Sequence, residues 1–442
     1  MTKSFDKDKM TVTELSGSPQ EKIDSSSSHC KNGFFSIFNN LPNGIFAVSL
    51  FGLFLGLSTT MVYSQLPLFL TEEIHTTRAT VAFIDGLVEF LAYVTRVFAG
   101  LISDFLRDRK LILFLGCTVT LFIKPVLAFA KTSAMVVLVQ SIERIGNGLQ
   151  ATPRDALIAD LSNRNTRGQS YGFTKSMKTL GALLGTPIAV WLMFKTCNDY
   201  RTVFLCATIP VAIAIICLFK VKTPQELKNE EQPEKKVVHE NPFKRKYLKS
   251  LDISFWKLLC LAFIFEMGHF SEHMFPLYAK NFLEVTFAGS TGMFVSIGQV
   301  LLSFPIGLFA DKFGKGRFIK VCLCVMIVSN LLFLAAQYSN FSPIMYVYAG
   351  AMLWGGQMTA VQGLFMALIS EQVSFHLRAT AIGLYYCTIG IAYFIASNIA
   401  GNIWDNFGSN YAFMYSICFC VISLAISKIL LPKKYEHGYK NA

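Results

Sequence analysis

Charge is what this sequence has least of. Of its 442 residues only 15% are Asp, Glu, Lys or Arg, where a soluble domain carries about a quarter. The deficit excludes an ordinary water-soluble globule and points to a chain whose main solvent is lipid. The sequence has no Walker phosphate loop and no H-E-x-x-H helix. Without the first it is not a self-contained ATP-driven pump, and an enzyme is not expected. Zinc-type cysteine spacings are missing as well. Most of the eleven cysteines (among them Cys117, Cys206, Cys217, Cys260, Cys322, Cys387 and Cys418) stand inside apolar runs, where they read as small packing residues. No metal and no cofactor is expected. The first 40 residues lack the short apolar core of a secretory leader. They are polar, end in a serine run (Ser25 to Ser28), and read as most of a disordered cytoplasmic tail, 1–44. The first membrane helix then serves as its own insertion signal.

Apolar runs fill the rest. A spanning helix needs roughly 20 mostly apolar residues. Such runs fall near 45–70, 80–103, 110–130, 134–158, 169–193 and 202–220, and again near 254–279, 289–310, 317–337, 343–369, 379–401 and 411–431. Runs such as Phe46 to Leu57 and Leu111 to Thr120 have no polar face, which a buried soluble helix would need. The fold expected is an all-α membrane protein of twelve transmembrane helices in two six-helix bundles, 45–220 and 253–431. A cytoplasmic linker, 221–252, joins them, and a short tail, 432–442, follows.

The net charge of +12 does not form one stripe, which argues against a nucleic-acid partner. It lies in clusters between alternate spans: Arg107, Arg109 and Lys110; Arg164 and Arg167; Lys312, Lys315 and Arg317; Arg378; and six basic residues from Lys235 to Lys249. This is positive-inside patterning, and it places both termini in the cytoplasm.

The two halves repeat each other. Gly100-Leu-Ile-Ser-Asp104 recurs as Gly307-Leu-Phe-Ala-Asp311, and Ala156-Leu-Ile-Ala-Asp160 as Ala367-Leu-Ile-Ser-Glu371. Arg167 and Gly172 match Arg378 and Gly383, and Pro67-Leu-Phe matches Pro276-Leu-Tyr, all in order and at nearly constant offset. Parallel repeats of this kind predict two bundles around a site near the bilayer midplane, with alternating access by rocking.

These residues resemble the major facilitator superfamily from about 45 to 431. The hallmark after the second helix of each half reads Gly307, Asp311, Lys312, Gly314, Lys315, Arg317 in the second copy and Gly100, Asp104, Arg107, Arg109, Lys110 in the first. The first copy departs with Phe105 for a basic residue and Arg107 for the second glycine. The resemblance implies a cytoplasmic latch built from Gly100, Asp104, Arg109, Gly307, Asp311, Lys312 and Arg317, together with Asp160, Arg167, Glu371 and Arg378. In it, carboxylates pair with loop cations. Two further motifs resemble the drug:proton antiporter branch. One is Arg144-Ile-Gly-Asn-Gly148. The other is Gly172, Gly181 and Gly185, whose proline departs by one residue to Pro187. In that branch they imply export, with glycines letting the two halves pack closely on the outer side.

Ionisable residues inside spans are costly to bury and are site candidates by default. Asp85, Glu89 and Arg96 lie in the second span, with Asp85 toward the outer mouth. Lys124 lies in the third, Arg144 in the fourth, and Lys175 and Lys178 in the fifth. In the seventh, Glu266, His269 and His273 fall at i, i+3 and i+7 and are expected to form one stripe. Glu266, His269, His273, Arg144 and Glu89 are the proton-coupling candidates; structural pairing and metal ligation remain alternatives. The solute-contact candidates are Arg96, Lys124, Arg144, Lys178, Tyr63, Trp354 and Gln357. The lysines and arginines lean toward an organic anion unless Asp85 and Glu89 neutralise them.

The functional expectation is a proton-coupled secondary transporter of a small organic solute, a carboxylate or siderophore-like metabolite, with export favoured. A multidrug efflux pump, an importer or uniporter, and a sensor or receptor on a transporter fold are the alternatives. The expected partners are the solute and the lipid bilayer, the expected state a monomer, and the expected location a bacterial inner membrane.

Overall fold

A computed structural model describes residues 43–106, 109–162, 167–221, 251–339, 342–373 and 378–431. The N-terminal tail, most of the linker and the C-terminal tail lie outside the described residues. The described chain folds into fifteen helices. In the first half these are α1 (Asn43–Glu72), α2 (Arg78–Leu106), α3 (Arg109–Ala128), α4 (Ser133–Leu161), α5 (Arg167–Lys195), α6 (Tyr200–Cys206) and α7 (Thr208–Phe219). The second half holds α8 (Ile253–Glu266), α9 (Met274–Ala279), α10 (Val285–Ala288), α11 (Thr291–Phe313), α12 (Lys315–Tyr338), α13 (Pro343–Gln372), α14 (Arg378–Phe407) and α15 (Ser409–Leu430).

Among the described residues, nine helical segments are long and apolar enough to cross a membrane by themselves. The expected crossings outside this set are α2, α4 and the broken α8–α9. The first two carry Asp85, Glu89, Arg96, Glu143 and Arg144, and the third is interrupted. The acidic span residues and both span arginines named here thus gather in α2 and α4, as a polar interior requires, while Lys124 and Lys178 lie in α3 and α5.

Helix pairs meet through glycine. A Cβ on Gly56 would stand 2.4 Å from the Lys178 carbonyl, one on Gly181 2.0 Å from that of Leu53, and one on Gly185 2.5 Å from that of Leu57. These approaches bring α1 and α5 backbone to backbone, as small residues allow in lipid. The fifth-span glycines therefore pack α5 against α1 within the first half, whereas the sequence suggested that they join the two halves; Gly172 has no neighbour within 4 Å. In the second half Gly298 and Gly355 bring α11 against α13 in the same way.

Contacts between the halves run along α2 and α14. A Cβ on Gly86 would meet the Phe394 backbone at 3.3 Å, and one on Gly401 the Ala79 backbone at 3.0 Å. At the start of α2, Asp405 of α14 accepts hydrogen bonds from the backbone N–H groups of Arg78 (3.2 Å) and Ala79 (2.8 Å). It thereby caps α2 from the opposite half. Glu72 pairs with Lys280, and Thr286 donates to Asn198 at 2.7 Å.

Gly314 explains part of the latch motif. It links α11 to α12 with φ 106° and ψ 123°, a backbone that a side chain disfavours. The motif positions Gly100, Asp104, Arg109, Asp160, Arg167, Gly307, Asp311, Lys312 and Arg378 lie outside the residues whose side chains are described. Of the rest, Lys315 pairs with Glu371, tying the start of α12 to the end of α13.

Candidate functional site

The seventh span is not one helix. α8 ends at Glu266 and α9 begins at Met274. Pro276 has no N–H, and its ring crowds the carbonyl four residues back. Pro67 does the same in α1, yet that helix is continuous. Eight residues before each proline the sequences differ, with Thr59 in α1 and Gly268 in the broken span. Gly268 sits at the break, and its carbonyl accepts from Ser416 Oγ at 2.6 Å. A side chain from α15 thus replaces a helical hydrogen bond, which permits irregular backbone at membrane depth.

The break separates the residues expected to form one stripe. His273 leaves Glu266 and His269 and joins a cluster at the junction of the halves. Asp85, 1% exposed, is the centre of that cluster. Its carboxylate accepts from Tyr63 of α1 at 3.1 Å and from Tyr393 of α14 at 2.9 Å. His273 Nε2 lies 3.5 Å away, and the Tyr63 and His273 rings are 4.1 Å apart. Arg144 places its guanidinium 5.1 Å from the Tyr63 ring centroid and pairs with Glu89 at 2.9 Å. Glu272 faces the same carboxylates, Asp85 and Glu89. Two tyrosines and one histidine thus meet the buried Asp85 carboxylate at the junction of the halves.

Glu266 and His269 remain together in a second cluster inside the second half. His269 Nδ1 is 3.4 Å from Glu266, and its Nε2 is 2.7 Å from the Gln357 amide. A proton on Nδ1, toward Glu266, leaves Nε2 to accept from the amide. The His269 ring meets Trp354 edge-on at 5.4 Å. Trp354 and Gln357 are fully buried.

The cationic candidates take three different positions. Lys124 is fully buried, 3.0 Å from Glu143, and donates to the Ser58 carbonyl at 3.1 Å. It forms an internal pair of the first half, because α3 and α4 pack these two side chains together. Arg144 turns to Glu89 rather than to its neighbour Glu143, since adjacent helical residues point to different faces. Arg96 lies over the Tyr93 and Tyr386 rings at 5.7 and 5.2 Å, beside the Gln362–Tyr93 hydrogen bond that crosses the halves at 3.2 Å. Lys178 is exposed and shares an electrostatic neighbourhood with Arg154, Arg96 and Arg144.

Sequence reasoning named Asp85 among the ionisable span residues but placed it, like Glu143, Gln362 and Tyr393, in neither the proton-coupling nor the solute-contact set. Asp85 had a signal, a carboxylate four residues from Glu89 in a span; Tyr393 had none. Gly168-Gln-Ser170-Tyr-Gly172 spells a nucleophile-elbow pattern, but Ser170 is buried in the first turns of α5. The elbow requires a strand-to-helix turn.

Comparison with known proteins fits this architecture. The Major Facilitator Superfamily pattern matches residues 48–295 and 273–441. An uncharacterized MFS-type transporter of Methanocaldococcus jannaschii is 26% identical over 349 residues, covering 77% of this chain and 83% of that one. Among solved structures, a nucleoside transporter superposes with a TM-score of 0.71 at 13% identity, covering 88% of this chain and 100% of its own. A D-xylose-proton symporter gives 0.69 at 14% identity over 92% and 100%. At such identities these two structures speak for the fold alone. With the family pattern matched across both halves, the chain belongs to the Major Facilitator Superfamily and is a multi-pass membrane protein of that transporter fold.

Proposed function

We propose that this protein is a proton-coupled secondary transporter that exports a small organic solute by alternating access, with both termini in the cytoplasm of a bacterial cell. The observation that carries the reading is Asp85: a carboxylate 1% exposed, inside a span, bound by groups from both halves. Ionised, it accepts hydrogen bonds from Tyr63 and Tyr393 and lies 3.5 Å from His273 Nε2. Charge-assisted bonds of this kind are about twice as strong as neutral ones. A proton on Asp85 removes the charge and loosens the tie between the halves. The groups facing it are Tyr63 from α1, Glu89 from α2, Arg144 from α4, Glu272 and His273 from the break, and Tyr393 from α14. In alternating access the proton and the cargo cross in opposite half-cycles. A proton taken up from outside once the cargo has left is carried back to the inward-facing state and released to the cytoplasm before cargo binds again. The proton gradient supplies the energy, and Tyr63, Arg96, Arg144, Lys178, Trp354 and Gln357 are the solute contacts.

Multidrug efflux is the second reading, favoured by the aromatic surface of Tyr63, Tyr93 and Tyr386, in which the last two rings stack at 5.7 Å. The test is a metabolite comparison, inside and outside, of cells lacking and overproducing the protein. One compound trapped in the deletion strain and enriched outside the overproducer supports export and names the cargo. The opposite distribution means import, and no change in any compound counts against transport of a metabolite.

A further inference from the structure

Ion pairing within the first half uses up most of its membrane-embedded charge. Lys124 pairs with Glu143, Arg144 with Glu89, and Arg154 with Asp155. Lys178 is left exposed with no ion pair among the described residues, in the electrostatic neighbourhood of Arg154 and Arg96. The second half holds the opposite residue of charge. Glu266 is 5% exposed, and its Oε1 has no hydrogen-bond partner, while its other oxygen faces His269. Close by, Gln357 Oε1 and Trp354 Nε1 are also buried without a partner. Glu272 Oε1 is in the same condition. Buried polar atoms normally have partners, and those that lack them are costly.

We propose that the cargo is a zwitterion of the amino-acid or short-peptide type, its ammonium held at Glu266 and its carboxylate at Lys178 and Arg96. This rests on the transport reading above and names its substrate class. An ammonium has three donors and no acceptor. It satisfies Glu266 Oε1 and Gln357 Oε1 together and lies beside the Trp354 ring, a favourable place for a cation. Glu266 is an electrostatic neighbour of Tyr93, one turn from Arg96, so the acid of the second half looks toward the cations of the first. A carboxylate on the same molecule gives Lys178 the partner it lacks. A plain organic anion leaves Glu266 unmet; a plain cation leaves Lys178 unmet. The leaning toward an anion that the first-half cations suggest is thus removed once Lys124 and Arg144 are seen to be neutralised. A bound zwitterion bridges the halves, which ties occupancy to closure.

The test uses the purified full chain in lipid nanodiscs, titrated with alanine and alanylalanine, with their N-acetyl forms (anions) and their carboxamides (cations). At least one free zwitterion should bind about tenfold or more tightly than either of its blocked forms. Glu266→Gln should erase the penalty for acetylation and leave that for amidation; Lys178→Gln should do the reverse. Blocked forms that bind as well as the parent, or no measurable binding of either zwitterion, overturn the proposal. A metabolite comparison that returns an exported simple anion would do so too, while leaving the transport reading intact.

Discussion

Replacing Glu143 with glutamine should leave a lysine charge stranded inside the first half. Lys124 and Glu143 lie 3.0 Å apart with side chains 0% and 4% exposed, and the ammonium also donates to the Ser58 carbonyl at 3.1 Å. Removing one member of a buried pair costs about 3–5 kcal/mol, because the survivor keeps its desolvation penalty and loses its compensation. The Ser58 carbonyl places the loss at the lower end, about 3 kcal/mol. Removing both charges while keeping the volume, as in Lys124→Met with Glu143→Met, should recover most of it, since apolar replacement of a whole buried pair is often neutral. Thermal unfolding of the wild type, both single variants and the double variant in nanodiscs reads the cycle. Solute affinity of the folded fraction should be unchanged in all four, because the pair lies away from the proposed cargo site. Three results refute the reasoning. Glu143→Gln could be as stable as the wild type, the double variant could be no better than the worse single variant, or folded Lys124→Met could lose solute affinity.

The glycine contacts give a matched pair of substitutions. Gly56→Ala puts a methyl 2.4 Å from the Lys178 carbonyl and should cost about 1–3 kcal/mol through the separation of α1 and α5. Gly52→Ala, whose nearest neighbour is a side-chain atom at 3.6 Å, should be neutral or gain up to about 1 kcal/mol of helix propensity; equal effects on folded yield would dismiss the close-approach explanation. Asp405→Ala removes the carboxylate that caps α2 across the halves, a loss of about 0.5–2 kcal/mol. If that cap helps close the outer side, alkylation of a cysteine placed at buried Thr186 should rise roughly 2- to 30-fold, and an unchanged rate would remove the cap from the gate.

The spans and the pairing of the halves were legible because they depend on composition. Leu111 to Thr120 can only be lipid-compatible, and repeated tetrapeptides keep their order whatever the packing. Partners across helices were not legible. Lys124 and Arg144 look alike in sequence, yet one ends in a sealed pair with Glu143 and the other beside Tyr63 at the junction. The difference lies in which face each helix turns to its neighbour. The glycine spacing of the fifth span was visible, but its partner, α1, was not. The break in the seventh span was hidden because Pro276 has a twin in Pro67 within a continuous helix. The distinguishing residue is Gly268, whose carbonyl needs Ser416 from α15. That one interruption moved His273 out of its expected stripe and into contact with Asp85.

The measurement that bears most directly on proton coupling is transport by Asp85→Asn in proteoliposomes, with the solute named by the metabolite comparison. Wild-type protein should accumulate that solute when a pH gradient is imposed and exchange it when none is. The amide keeps the shape of Asp85 but carries no exchangeable charge. The variant should therefore still exchange labelled for unlabelled solute and should fail to accumulate it against a gradient. Accumulation at the wild-type level by Asp85→Asn would contradict the proposed coupling and leave Asp85 as a structural tie between the two halves.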